Sequence, residues 1–192
     1  MSRASAVAVN PSRSESAGQS GGLDQNHFLL LGLPVSFELD HQQLDQARER
    51  IQAVVHPDRF AAAGAAQKRL ALQWSTRIHE AYETLREPLK RAAYLLALRG
   101  HAVDAETHTR MPSAFLEQQM VWREALEEAR GLADPARARA IAQLKAQCES
   151  AYASGLSDLS ELLSRGNEQD LAAAAAQVRA LMFVAKFSEE LR

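Results

Sequence analysis

The sequence predicts an all-α protein made of two helical units. Apolar residues recur at three- and four-residue steps from Phe28 nearly to the end, and helix-stop and helix-start residues punctuate them at regular intervals. No stretch alternates apolar and polar residues as a half-buried strand would.

Residues 1–23 precede the first apolar pattern. They are rich in Ser, Gly and Ala, hold no aromatic residue, and are expected to form a disordered tail because they cannot bury enough surface to offset their ordering entropy. Arg3 and Arg13 against a lone Glu15 give a faint likeness to an organelle transit sequence, without the amphipathic helix such a sequence needs.

"HFLLLGLP" then reads as a short apolar helix stopped by Gly32 and Pro34. The next start has Asp40 as N-cap, Gln43 in the capping-box place and Leu39 positioned to staple onto Leu44. Behind it Leu44, Ala47, Ile51, Val54 and Val55 mark one buried face until Pro57 breaks the pattern. A third helix, about Ala65 to Arg86, carries Leu70, Trp74, Ile78, Ala81 and Leu85 on its stripe, so the two helices form an antiparallel hairpin around a short loop. Pro88 opens a fourth helix that Gly100 closes, and the polar stretch 101–112 reads as a linker.

Three longer helices follow, at about Ser113 to Arg130, Pro135 to Ser164 and Glu168 to Glu190. Asp134, with Pro135 behind it, is expected to cap the second, and Asn167 the third. Ile141, Leu144, Cys148, Tyr152, Leu159 and Leu163 fall at helical steps, as do Leu171, Val178, Leu181 and Ala185, which predicts a three-helix bundle. On the last helix Met182 aligns with that stripe, whereas Phe183 and Phe187 fall roughly 120 to 160° from Leu171. The run of alanines at 172–176 favours helix and close packing.

Composition excludes several classes of function. With 22 basic and 24 acidic residues the formal charge is -2, not the signature of a protein that grips nucleic acid or anionic lipid. Cys148 is the only cysteine, so no internal disulfide and no Cys-based zinc site of the usual kind is expected, in keeping with a reducing compartment. It falls on a buried stripe and reads as an inert core thiol. No continuous apolar run approaches the roughly 18 residues of a bilayer span, and the chain reads as soluble and unexported. Among His27, His41, His56, His79, His101 and His108 no two are four residues apart, so neither a metal nor another cofactor is expected.

Chemistry concentrates in "AVVHPDRF", residues 53–60. Proline disfavours helical geometry at His56 and fixes its own backbone, so the helix stops and two polar side chains are held at a hairpin tip. The pair lacks a nucleophile, an orienting third group and a phosphate cradle, and enzymatic chemistry is not expected. Pro-Asp is also ordinary turn chemistry, and the tripeptide alone does not separate the two readings.

"HPDRF" followed by "IHEAYETLREPLKRAAY" resembles the J-domain, with Ile78, Ala81, Tyr82, Leu85, Pro88 and Arg91 in the places of the family's third-helix pattern. That resemblance implies a J-domain over 24–100, a co-chaperone role, and His56, Pro57 and Asp58 as the loop that triggers ATP hydrolysis by a DnaK-type chaperone. Arg48, Arg50 and Arg59 are the candidate basic contacts. The continuation "RAAYLL" and then "AFLEQQMVWREALEEAR" is similar to the HscB family of iron–sulfur cluster assembly co-chaperones, over about residues 26–190. It implies an L-shaped pair of units, a partner chaperone HscA, and delivery to it of the scaffold protein IscU bound on 113–192. The chain departs from the family's usual residues at Ala53, Val55, His79, Glu117 and Val121. Eukaryotic relatives often carry an N-terminal pair of CxxC motifs, and none occurs here, which favours the bacterial form and a cytoplasmic location.

The scaffold-binding face implied by the resemblance is Leu116, Met120, Glu124 and Glu128 with Phe183. Helix geometry places Leu116 and Met120 roughly 100 to 140° from the Phe115–Trp122–Leu126 stripe, beside carboxylates, as an interaction patch would be. The competing reading is a broad stripe that buries them. Residues 24–100 hold 10 basic and 9 acidic residues and 101–192 hold 10 and 14, a weak sign that the halves meet different partners. The alternative function is a general J-type co-chaperone whose bundle binds other clients or associates weakly with itself.

Overall fold

The computed structural model describes residues 24–103 and 113–191. The expected tail, 1–23, most of the expected linker, 104–112, and Arg192 lie outside the described residues. Seven α-helices and one 3₁₀ turn make up the ordered elements among the described residues: α1 (His27–Leu30), α2 (His41–Val55), the turn Pro57–Phe60, α3 (Ala65–Arg86), α4 (Pro88–Leu98), α5 (Ser113–Arg130), α6 (Ala136–Arg165) and α7 (Glu168–Glu190). They divide into two compact units between Arg91 and Ala92, inside α4.

In the first unit α2 packs along α3, and α1 and the 3₁₀ turn also rest on α3. Asn26 caps α1 by accepting the Leu29 N–H at 3.0 Å, and Asp40 caps α2 by accepting that of Gln42 at 2.8 Å. Gly32, at φ 67°, turns the chain after α1 in a conformation that side chains with a Cβ disfavour. Phe28, Leu31, Leu44, Ala47, Val55, Ile78, Ala81 and Leu85 form the core. Val54, expected on that face, is instead 42% exposed. It stands in the last turn of α2 at the edge of the stripe, about 20° beyond Ala47 and about 100° from buried Val55. Arg91 is buried at the end of this unit, where it donates to the Leu85 carbonyl and lies 5.3 Å from the Phe37 ring centre. Burial lowers its pKa from the ordinary value, opposed by the Glu38 carboxylate.

In the second unit α6 packs against both α5 and α7. Trp122, Leu126, Leu144, Cys148, Val184, Phe187 and Leu191 form one apolar cluster. Gly155 lets the Leu181 and Gln177 side chains of α7 lie directly against α6, where a Cβ would stand 2.6 Å from a Leu181 methyl carbon. Asn167 caps α7 as expected, accepting the Asp170 N–H at 2.9 Å. Asp134 does not cap α6. The helix begins one residue later than expected, Pro135 takes the capping position without a side-chain bond, and the Asp134 carboxylate pairs with Arg137 at 2.7 Å. Gly166, at φ 65°, closes α6, and Arg99 donates to the Leu163 carbonyl at 2.7 Å to satisfy the same helix end.

α7 corrects a second expectation. Phe187 is 1% exposed and Met182 is on the surface, the reverse of the single-stripe reading. The helix has two neighbours: Leu171, Val178 and Leu181 are buried on one side, while Phe187 turns toward Trp122 of α5, its ring stacked at 5.7 Å. By length and a mean hydropathy of 1.3, α7 is apolar enough to cross a membrane, but its alanines raise that value and its larger apolar side chains are mostly committed to the bundle.

Candidate functional site

Two surfaces carry the residues singled out by the sequence, one on each unit. At the end of α2, Val55 is buried and His56 leaves helical geometry at φ -56° and ψ 130°, as a residue before proline should. Pro57 then opens the 3₁₀ turn. The turn is capped by its own histidine, because His56 Nδ1 accepts the Asp58 N–H at 3.3 Å. That bond requires an unprotonated Nδ1, so in the neutral ring the proton sits on Nε2. The His56 side chain is 47% exposed and the Asp58 side chain 89%, with the carboxylate 3.6 Å from Nδ1.

The three arginines differ. Arg59 turns back and donates to the Ala53 carbonyl at 2.8 Å, which satisfies one of the orphan acceptors at the end of α2. Arg50 donates to the Gln46 carbonyl at 3.2 Å, within its own helix. Arg48 reaches over the Tyr82 ring of α3, its guanidinium 4.5 Å from the ring centre, with Arg86 at 5.8 Å from the same ring. Tyr82 is itself fixed by donating its hydroxyl to Asp45 at 2.8 Å. Sequence reasoning found Tyr82 only as part of a pattern; the signal for its role was Asp45 and Arg48 three residues apart on the helix facing it. Beside this clamp Arg48, Gln52, Ser75, Thr76, Ile78 and His79 line an open groove of about 270 Å³.

On the second unit Leu116 is 46% and Met120 63% exposed, so neither is packed between neighbouring helices as the broad-stripe reading has it. Glu124 and Glu128 are also exposed on α5, and Val121 adds a further apolar side chain at the surface. Phe183 is half-buried. Its ring meets Phe115 edge-on at 5.7 Å, stacks on Phe187 at 6.2 Å, and has the Arg123 guanidinium 5.8 Å from its centre. The structure therefore brings Phe183 to the edge of α5 that carries Leu116. Glu124 and Glu128 follow Phe115 by nine and thirteen residues, roughly 180 to 220° around α5, on its outer face away from Phe183. Cys148 is buried, and its thiol is pushed up by burial and then by the Glu149 carboxylate, as an inert core thiol would be. Among the described residues no cluster of three His, Cys, Asp or Glu side chains is placed to hold a metal ion.

Residues 111–192 match the sequence profile described as the HSCB C-terminal oligomerisation domain. The chain is 50% identical over 169 residues to the co-chaperone protein HscB homolog of Burkholderia mallei (strain SAVP1), covering 88% of this chain and 93% of that protein. Its counterpart in Burkholderia thailandensis is 49% identical over 172 residues, with the same coverage. Chaperone HscB from Vibrio cholerae superposes with a TM-score of 0.79 at 37% identity, over 86% of this chain and 95% of that one. Human co-chaperone protein HscB shares the fold, with a TM-score of 0.78 at 24% identity, over 88% and 81% of the two chains.

Proposed function

Because this chain belongs to the HscB family of co-chaperones, we propose that it stimulates ATP hydrolysis by the DnaK-type chaperone HscA and delivers the iron–sulfur scaffold IscU to it, in the bacterial cytoplasm. The observation that carries this reading is the tip at His56–Pro57–Asp58: an exposed carboxylate whose backbone is pinned by the preceding imidazole. A carboxylate held this way loses little freedom when a partner's arginine or lysine engages it, so most of the charge-assisted bond goes into binding. Arg48, laid on Tyr82, offers a second preset charge on the same hairpin. The chemistry of ATP hydrolysis belongs to the chaperone, and this chain supplies contacts that favour its hydrolysing state.

The exposed Leu116 and Met120 beside Phe183 support scaffold docking on the other unit. Holding the scaffold on the chain that also engages the chaperone raises its effective concentration at the chaperone's substrate site. The test is steady-state ATP hydrolysis by HscA with this protein, with and without IscU, beside His56→Gln. Stimulation that needs His56 and grows synergistically with IscU is the expected result; stimulation indifferent to IscU would keep the J-domain role and remove the iron–sulfur assignment.

A second reading has the matched profile's description in its favour. The bundle associates with itself, and sedimentation velocity over a range of protein concentrations is the check.

A further inference from the structure

We infer that the open groove between α6 and α7 is where a second copy of this chain docks, with Lys145 of each copy set against Glu149 of the other. The inference rests on the self-association reading above and names the face that carries it.

The groove holds about 320 Å³ and is lined by α6 and α7 alone among the described residues. Its floor is apolar: Cys148 and Val184 are buried members of the core cluster, and half-buried Tyr152 and Ala185 lie beside them. Glu149 and Glu189 stand exposed at its edges. Met182 extends the apolar surface. It is 39% exposed and precedes Ala185 by three residues and Glu189 by seven, so the three share one face of α7. That face lies roughly 100 to 160° around the helix from Phe183, which leans on α5, and is therefore separate from the Leu116–Met120 strip.

A single copy leaves the charges of this face unanswered. Elsewhere in the unit Glu127, Asp134, Glu161 and Asp170 each have an arginine. Lys145 and Glu149 are exposed one turn apart on the side of α6 that carries Cys148 and Tyr152, with lysine first, the weaker order for a pair within one helix. Among the described residues neither forms an ion pair, and nor does Glu189. A two-fold axis passing between Lys145 and Glu149 answers both. Two antiparallel α6 helices then place each lysine opposite the other copy's glutamate and bring the two apolar floors together, whereas parallel helices would set lysine on lysine. A basic partner of another sequence would answer Glu149 and Glu189 but leave Lys145 without a carboxylate; a second copy answers it too. The profile described as an oligomerisation domain spans both helices of the groove, residues 111–192. Because the α5 strip takes no part, each copy in such a pair keeps its scaffold-docking face.

The experiment is sedimentation velocity of the full chain over a range of concentrations, at low and high salt. The samples are the parent, Lys145→Glu, Glu149→Lys, an equimolar mixture of those two variants, and Leu116→Ala with Met120→Ala; melting curves establish that each is folded. Either charge reversal sets like charges across both contacts of the pair and should weaken self-association about 10- to 100-fold at low salt, with a smaller deficit at high salt. The mixture should recover it, since each variant then supplies the charge the other lacks. A role confined to one chain cannot give that rescue. Self-association of the parent that neither reversal weakens would overturn the groove and leave the self-association reading standing. Weakening in both variants without recovery in the mixture would overturn the reciprocal pairing, and with it the inference. Self-association lost only in the Leu116→Ala, Met120→Ala chain would place the contact on the strip and overturn the groove. A parent that stays monomeric at every concentration would overturn the self-association reading itself, and the groove with it.

Discussion

The tip of the first unit and the apolar strip of the second are built in opposite ways. At the tip, contacts join residues close in sequence: His56 to Asp58, Arg59 to Ala53. The strip is assembled from α5 and α7, which meet only when the bundle folds, through Phe115, Phe183 and Arg123. A site made of near neighbours is nearly complete once its hairpin exists. One made of distant helices depends on the whole core behind it, and substitutions there divide sharply into those that unfold the unit and those that only blunt its surface.

Phe187 and Phe183 give the largest contrast. Phe187 is 1% exposed and stacked on Trp122, so Phe187→Ala should destabilise the second unit by about 3–5 kcal/mol, seen as a lower denaturant midpoint with the first unit's transition unchanged. Phe183→Ala removes a half-buried ring from the same stack and should cost clearly less stability while weakening scaffold binding. Equal destabilisation by both would mean that Phe183 is a core residue and not part of a docking edge.

At the tip the corresponding effect is on function without stability. Asp58→Asn keeps the shape and the backbone N–H that caps on His56, but removes the charge offered to the chaperone. A charge-assisted bond contributes about 1.5–3 kcal/mol, so chaperone affinity and stimulation should fall roughly 10- to 100-fold while the melting temperature holds. A variant that melts early would instead make Asp58 a structural turn residue.

Arg59 separates position from role with a smaller effect. Its guanidinium is committed to the Ala53 carbonyl, so Arg59→Ala should cost about 1 kcal/mol of stability through the unsatisfied end of α2, and change stimulation less than Asp58→Asn does. Greater loss of stimulation than of stability would return Arg59 to the set of direct contacts.

These contrasts also explain what was legible in the sequence. Asp40 and Asn167 announced their helices because an N-cap is a local bond, and the stop at Pro57 is a property of proline itself. The capping of the 3₁₀ turn by His56 was hidden, since the same residue suits a partner-facing role equally well. Phe187 was misplaced because a wheel drawn on one helix assumes one buried face, while α7 has two neighbours. Helix geometry alone leaves Leu116 and Met120 open between surface and core; they are exposed because the buried stripe of α5 is confined to Trp122, Leu126 and Ala129, and nothing among the described residues covers its other side.

The smallest effect, and the one that compares the units most directly, is their response to pH. His27 is buried in the first unit, and burial, followed by the nearby Arg77 charge, lowers its pKa from the ordinary 6.5, with Glu80 opposing. A base whose folded pKa is lowered binds its proton more readily when unfolded, so the first unit keeps its full stability above about pH 6.5 and loses some as acid drops below that value. Cys148 in the second unit is the mirror case. Its folded pKa is raised from 9.0, so the unfolded thiol ionises first and the second unit weakens as pH climbs past 9.0. Melting curves of the full chain across acid and alkaline pH should therefore show the first unit yielding to acid, less so in His27→Gln, and the second to alkali, less so in Cys148→Ala. If both variants keep the parent's pH profile, the two buried groups are not what sets the difference, and the surface charges of each unit become its source.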